Sequence, residues 1–178
     1  MILSITNQKG DVGKSTTVIN LAAGLAIKGY KILIIDLDPQ ANTTKVLFTS
    51  EDEVPLQRSL YNILINFYPL ANILQETKTQ NLYIAPSHIR LSGTDLELSQ
   101  AMDNRSERLK KAISPLLKEF DHIIIDTPPS LGLMTINALA ASNQLIIPVS
   151  TGYFALTGLV QLRETIHMVM QTQLNPAL

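Results

Sequence analysis

Nine residues near the N-terminus carry the densest chemistry: Gln8-Lys9-Gly10-Asp11-Val12-Gly13-Lys14-Ser15-Thr16. They follow an apolar run, Ile2 to Thr6, and lead into a stretch with helical spacing. A loop so placed aims successive backbone N–H groups, and the positive end of the helix dipole, at an anion. Gly13 lets the backbone come close, Lys14 has the reach for β- and γ-phosphates, and the Ser15 hydroxyl is placed to ligate Mg²⁺. The standard phosphate loop has glycine where this chain has Gln8.

Three acidic residues complete the candidate set. Asp36 and Asp126 each end an apolar run, and the C-terminal edge of a parallel sheet is where ligands bind. There Asp126 can hold Mg²⁺ through water and complement Ser15, with a helix-capping or turn role as the alternative. Asp38 lies two past Asp36, so a strand continuing that far puts both side chains on one side.

Such residues need a scaffold, and the rest of the chain supplies one. Short β-branched runs alternate with longer amphipathic segments, the pattern of βαβ units in a mostly parallel sheet flanked by helices. Strands are expected over 2–6, 31–36, 81–85, 120–126 and 144–149. Helices are expected over 14–28, closed by Gly29, and over 59–66, 93–102, 104–119, 132–142 and 155–171. Pro115 should kink or restart the helix expected over 104–119. Residues 49–58 and 66–80 read as surface loops. No repeat or linker interrupts the chain, so residues 1–178 are expected to form a single α/β domain.

Composition narrows the field. The 178 residues carry 14 Lys+Arg against 15 Asp+Glu, a net charge of −1, so charge excess alone gives no grip on nucleic acid. With 46% hydrophobic residues there is ample material for a core. The absence of cysteine excludes disulfide scaffolds, thiol nucleophiles and Cys-ligated iron–sulfur clusters. His88, His122 and His167 form no local ligand motif. No apolar stretch approaches the ~20 residues of a membrane span, and the first residues lack the features of a secretory signal.

The loop's departure from the standard pattern is informative, because it resembles the deviant Walker A motif of the ParA/MinD family of ATPases, usually Lys-Gly-Gly-x-Gly-Lys-Ser/Thr. The likeness continues through Ile34-Ile35-Asp36-Leu37-Asp38-Pro39-Gln40-Ala41-Asn42, and through Ile123-Ile124-Ile125-Asp126-Thr127-Pro128-Pro129-Ser130, which is similar to the family's Walker B and switch region. Ile147-Pro148-Val149 and Tyr153-Phe154-Ala155-Leu156-Thr157-Gly158-Leu159 resemble the segment that follows.

The resemblance implies a P-loop NTPase fold that binds ATP or ADP with Mg²⁺. On this reading Lys9, Gly10, Asp11, Val12, Gly13, Lys14, Ser15 and Thr16 surround the nucleotide. Ser15, Asp36 and Asp126 serve the metal, and Lys9, Lys14 and Asp38 serve catalysis. Asp38 orients the attacking water, and Lys9 is the family's signature lysine, reaching the partner subunit's phosphates across a nucleotide-sandwich homodimer. The family implies non-specific DNA binding by that dimer, a ParB-like activator that stimulates hydrolysis, and a role in plasmid or chromosome partition. It also implies a cytoplasmic location, nucleoid-associated when ATP is bound. Resembled proteins continue past the equivalent of Leu178, so the chain is expected to lack the family's C-terminal part and some of the DNA-binding surface. Two alternatives are a nucleotide-binding scaffold with little turnover and a MinD-like membrane-associated regulator. The cluster Arg105, Arg108, Lys110 and Lys111 reads as a solvated helical face.

Asp11 departs from the family's glycine. It sets a carboxylate beside a site for an anionic ligand, a repulsion of roughly 3 kcal/mol at about 5 Å before screening. A positive φ there would add about 1 kcal/mol.

Overall fold

The structure is a computed structural model that describes residues 1–48, 54–151 and 153–178, with the side chains of 153–156 outside that description. Part of the expected 49–58 loop and the side chains of Tyr153-Phe154-Ala155-Leu156 therefore lie outside the described residues.

Six strands form one sheet: β1 (Ile2–Ile5), β2 (Ile32–Asp36), β3 (Gln75–Glu76), β4 (Leu82–Ala85), β5 (His122–Asp126) and β6 (Gln144–Ile146). Their order is β3-β4-β2-β5-β1-β6, and every pairing is parallel except β3 with β4. The helices are α1 (Lys14–Ile27), α2 (Asn42–Leu47), α3 (Leu60–Asn66), α4 (Thr94–Gln100), α5 (Arg108–Ile113), α6 (Leu133–Ala141) and α7 (Tyr153–Gln171).

The central strands are apolar throughout because each has two covered faces. Ile32 and Ile34 of β2 and Ile124 of β5 meet Val18, Ala22 and Ala26 of α1. The intervening Leu33, Ile35, Ile123 and Ile125 join a second core with α3, α5 and α6. Burying each such side chain is worth about 1.5–3 kcal/mol. Helix α1 ends as expected: Gly29, at φ +95°, donates its N–H to the Ala26 carbonyl, and only glycine takes that conformation without strain.

Several boundaries differ from expectation. Helix α5 stops at Ile113, and Pro115 lies in the 3₁₀ turn Ser114–Leu116 that follows, so the proline breaks the longer expected helix. The region 66–80 contains a 3₁₀ turn, Leu70–Ile73, and the short edge strand β3. Helix α2 fell in no expected element.

The expected solvated basic face is only partly so. Arg108 is buried, stacks its guanidinium 4.4 Å from the Phe67 ring centroid, and donates to the Leu64 carbonyl and Asp103. It faces inward because α5 packs its first turn against α3.

The loop after β5 is anchored at its far end. Asp95 of α4 accepts the Met134 N–H at 2.9 Å and so caps α6. A Cβ on Gly132 would overlap the Asp95 carboxylate, so a side chain there would push Asp95 out of this capping position. Buried Asn137 ties α6 to its neighbours by accepting from Leu109 N–H and donating to the Arg105 carbonyl.

Candidate phosphate-binding site

Strand β1 feeds the loop 8–13, and α1 begins at Lys14. Gly13, the residue before α1, has φ 84°, and Asp11 has φ 57°. The backbone at Asp11 is therefore left-handed. No side chain caps α1 at Gly13. Among the described residues, the backbone N–H groups from Gly10 to Thr16 find no acceptor within the chain. A Cβ built on Gly10 or Gly13 meets nothing within 4 Å, so the loop borders open space. Free N–H donors, an uncapped helix start and room beside them make an anion cradle.

Asn7, a residue the motifs did not flag, holds this loop in place. It is buried, accepts the Lys9 N–H at 2.9 Å and donates to the Pro148 carbonyl at 2.7 Å. The β1 and β6 exits are thus joined. Lys9 is exposed and donates from Nζ to the Ser150 hydroxyl at 3.2 Å. Lys14 is buried, and its Nζ donates to the Lys9 carbonyl at 3.2 Å. Burial lowers the Lys14 pKa, while Asp126, Asp38 and Asp11 oppose that shift.

The carboxylates lie beside the loop. Asp36 and Asp126 are register partners at the ends of β2 and β5, and both are fully buried. Asp126 Oδ2 accepts the Thr43 hydroxyl at 2.7 Å, whereas its Oδ1 is buried without a partner among the described residues. Both Asp36 oxygens are engaged. Oδ2 accepts from the Thr44 N–H and hydroxyl, and Oδ1 accepts the Asp38 N–H. The strand ends at Asp36, so Asp38 does not share a strand face with it. Asp38 instead occupies a turn, with Oδ1 accepting the Gln40 N–H at 2.9 Å. Helix α2 therefore carries Thr43 and Thr44, two contributors that the motifs missed.

Burial and then the neighbouring Asp126 push the Asp36 carboxyl up from its ordinary 3.8 to about 7. Burial also raises Asp126, opposed by the hydrogen bond from Thr43. The folded state thus retains protons that the unfolded chain releases above about pH 4. That stabilisation is complete below the unfolded pKa and is lost as pH rises through about 7. In EDTA and without nucleotide, Tm is expected to drop by a few degrees more between pH 5 and pH 8 in the native protein than in Asp126→Asn. Equal drops would refute the coupling.

A parallel sheet with a strand–loop–helix phosphate cradle at its C-terminal edge and paired acids beside it defines a P-loop NTPase fold. A family model described as an AAA domain matches residues 1–178. The chain is 45% identical over 174 residues to the sporulation initiation inhibitor protein Soj of Bacillus subtilis, covering 98% of this chain and 67% of that one. It belongs to the ParA/Soj family of ATPases. The chromosome partitioning protein ParA of Myxococcus xanthus is 46% identical over 177 residues, covering 99% of this chain. The chain spans 67% and 61% of the length of these two relatives. Among solved structures, a cobyrinic acid a,c-diamide synthase from Mycobacterium smegmatis with bound ADP and magnesium matches 99% of this chain and 70% of its own, with 35% identity and a TM-score of 0.90.

Proposed function

We propose that residues 1–178 form a ParA-type ATPase domain that binds ATP with Mg²⁺, dimerises on binding it, and hydrolyses it slowly until a partner accelerates the reaction. The observation that carries this reading is the unpartnered, buried Asp126 Oδ1 beside a loop of free N–H groups. A buried carboxylate oxygen left without a donor is costly, and a cation's water shell would satisfy it. Ser15 and Asp126 are the residues that would hold the ion, and bound Mg²⁺ would supply charge neutralisation at the phosphates.

The chain's own residues would divide the remaining work. The N–H groups of Gly10 to Thr16 cradle the phosphates, and Lys14 adds a positive charge. Asp38 orients the attacking water. Asp36 has both oxygens occupied, so it supports the metal side by fixing Thr44 and the turn at Asp38 rather than by direct ligation. Lys9 crosses to a second copy's nucleotide. Its present bond to Ser150 is exposed and worth about 0.5–1.5 kcal/mol, a small barrier to that exchange.

The name of the ParA relative, a chromosome partitioning protein, supports a role in partition. On this reading the ATP-bound dimer binds DNA without sequence preference, meets a ParB-like activator, and moves between cytoplasm and nucleoid. No helix of the described residues is long and apolar enough to cross a membrane. Asp11 favours a second reading, a nucleotide-binding scaffold with little turnover.

Sedimentation with Mg·ATP and Mg·ADP, run beside an ATPase assay with and without DNA, separates the two. The ATPase reading expects dimers with ATP only, and Lys9→Ala should weaken dimerisation about tenfold while ATP binding to the monomer persists. Binding without dimerisation or turnover would support the scaffold. Failure to bind ATP would overturn both.

A further inference from the structure

A closed ring of hydrogen bonds runs behind Asp38. The Asp38 N–H donates to Asp36 Oδ1 at 3.2 Å, and the Asp38 carbonyl accepts the Ser87 hydroxyl at 2.5 Å. The Ser87 N–H donates to Thr44 Oγ1 at 2.9 Å, and the Thr44 hydroxyl donates to Asp36 Oδ2 at 2.6 Å. The ring joins the end of β2, the turn after it, α2 and the loop that leaves β4. Asp36, Asp38, Thr44 and Ser87 are 0%, 6%, 3% and 1% exposed, so water has little access to replace a missing member.

The turn needs this support. Residues 37–41 belong to no strand or helix, and Ala41 adopts a left-handed φ of 55°, strained for a residue with a side chain. Within the turn itself, the Asp38 carbonyl accepts only the Ala41 N–H, at 2.8 Å. Ser87 braces the same carbonyl from the loop that leaves β4, 49 residues along the chain.

We infer that Ser87 is a positioning residue for Asp38: its hydroxyl and N–H clamp the turn that aims the Asp38 carboxylate. The inference rests on the proposed role of Asp38 in orienting water. Among the described residues Ser87 makes no hydrogen bond to the phosphate loop or to Asp126, so its loss should change how Asp38 is aimed and leave nucleotide binding intact.

Two variants open the ring at different points, Ser87→Ala and the isosteric Thr44→Val. In single-turnover hydrolysis each is expected to run about tenfold slower, with the affinity for a non-hydrolysable ATP analogue changed by less than about twofold. Ser87→Thr, which restores the hydroxyl, should return most of the rate. Hydrogen exchange supplies an independent readout: amides 38–41 should lose protection in Ser87→Ala and Thr44→Val while amides 10–17 keep theirs. Unchanged protection at 38–41, or rate and affinity falling together, would overturn the positioning role. If the native protein hydrolyses no ATP, the proposed activity fails, and the exchange pattern still decides whether Ser87 holds the turn.

Discussion

Lys14→Ala is expected to lower ATP affinity about a hundredfold while leaving the fold intact. The Lys14 ammonium is buried, with only the Lys9 carbonyl as a hydrogen-bond partner among the described residues. Burial lowers its pKa, so holding that charge without a phosphate beside it costs stability, which Asp126, Asp38 and Asp11 only partly offset. A phosphate would supply the missing partner. Charge-assisted hydrogen bonds are worth about 1.5–3 kcal/mol each, which sets the expected loss. Because the buried charge costs stability when no nucleotide is bound, the variant should melt no lower than the native protein in nucleotide-free buffer. Calorimetric titration with ATP and a thermal melt together check the claim. An affinity within about threefold of native would show that the N–H cradle binds the phosphates without Lys14.

The opposite change is expected at Asp11, where Asp11→Gly should tighten ATP binding about tenfold. Two costs meet at this residue. Its φ of 57° lies where side chains are strained by roughly 1 kcal/mol, although Asp tolerates the region better than most. Its carboxylate also repels an incoming triphosphate, and it attracts Lys14, so it competes with the phosphates for that ammonium. The side chain is exposed, so screening leaves only part of the unscreened repulsion. Asp11→Asn separates the two costs, since asparagine removes the charge and keeps a side chain at positive φ. Asparagine should give most of the gain and glycine all of it. Equal affinities for the native protein, Asp11→Asn and Asp11→Gly would sink the account.

The parts of this protein that were legible in its sequence are those built from neighbours along the chain. Strands β2 and β5 are covered on both faces and so need unbroken apolar runs, which Ile32–Asp36 and His122–Asp126 display. The phosphate loop is likewise contiguous, and its glycines, Lys14 and Ser15 announce it. Helix α2 was hidden because Asn42-Thr43-Thr44 disfavour helix and six residues are too few for a periodic pattern. Its first turn is instead secured by threonine hydroxyls donating to Asp36 and Asp126. Asn7 and Ser87 escaped for a different reason: the carbonyls they brace are 141 and 49 residues away. Arg108 was misread because a run of charges does not reveal that Phe67 and the Leu64 carbonyl wait on the inner side of α5.

The strand order also dictates when the site comes into being during synthesis. Strands β1 and β2 are consecutive along the chain but do not pair, because β5 lies between them. A nascent chain that has reached only residue 121 holds the glycine loop and Asp36 but lacks the strand that pairs with both β1 and β2. Insertion of 122–126, about a hundred residues after the loop was made, is the late, non-local step that slows folding. The pairing of Asp36 with Asp126 is therefore a mark of maturity, reached only by a chain whose central strand has slotted home.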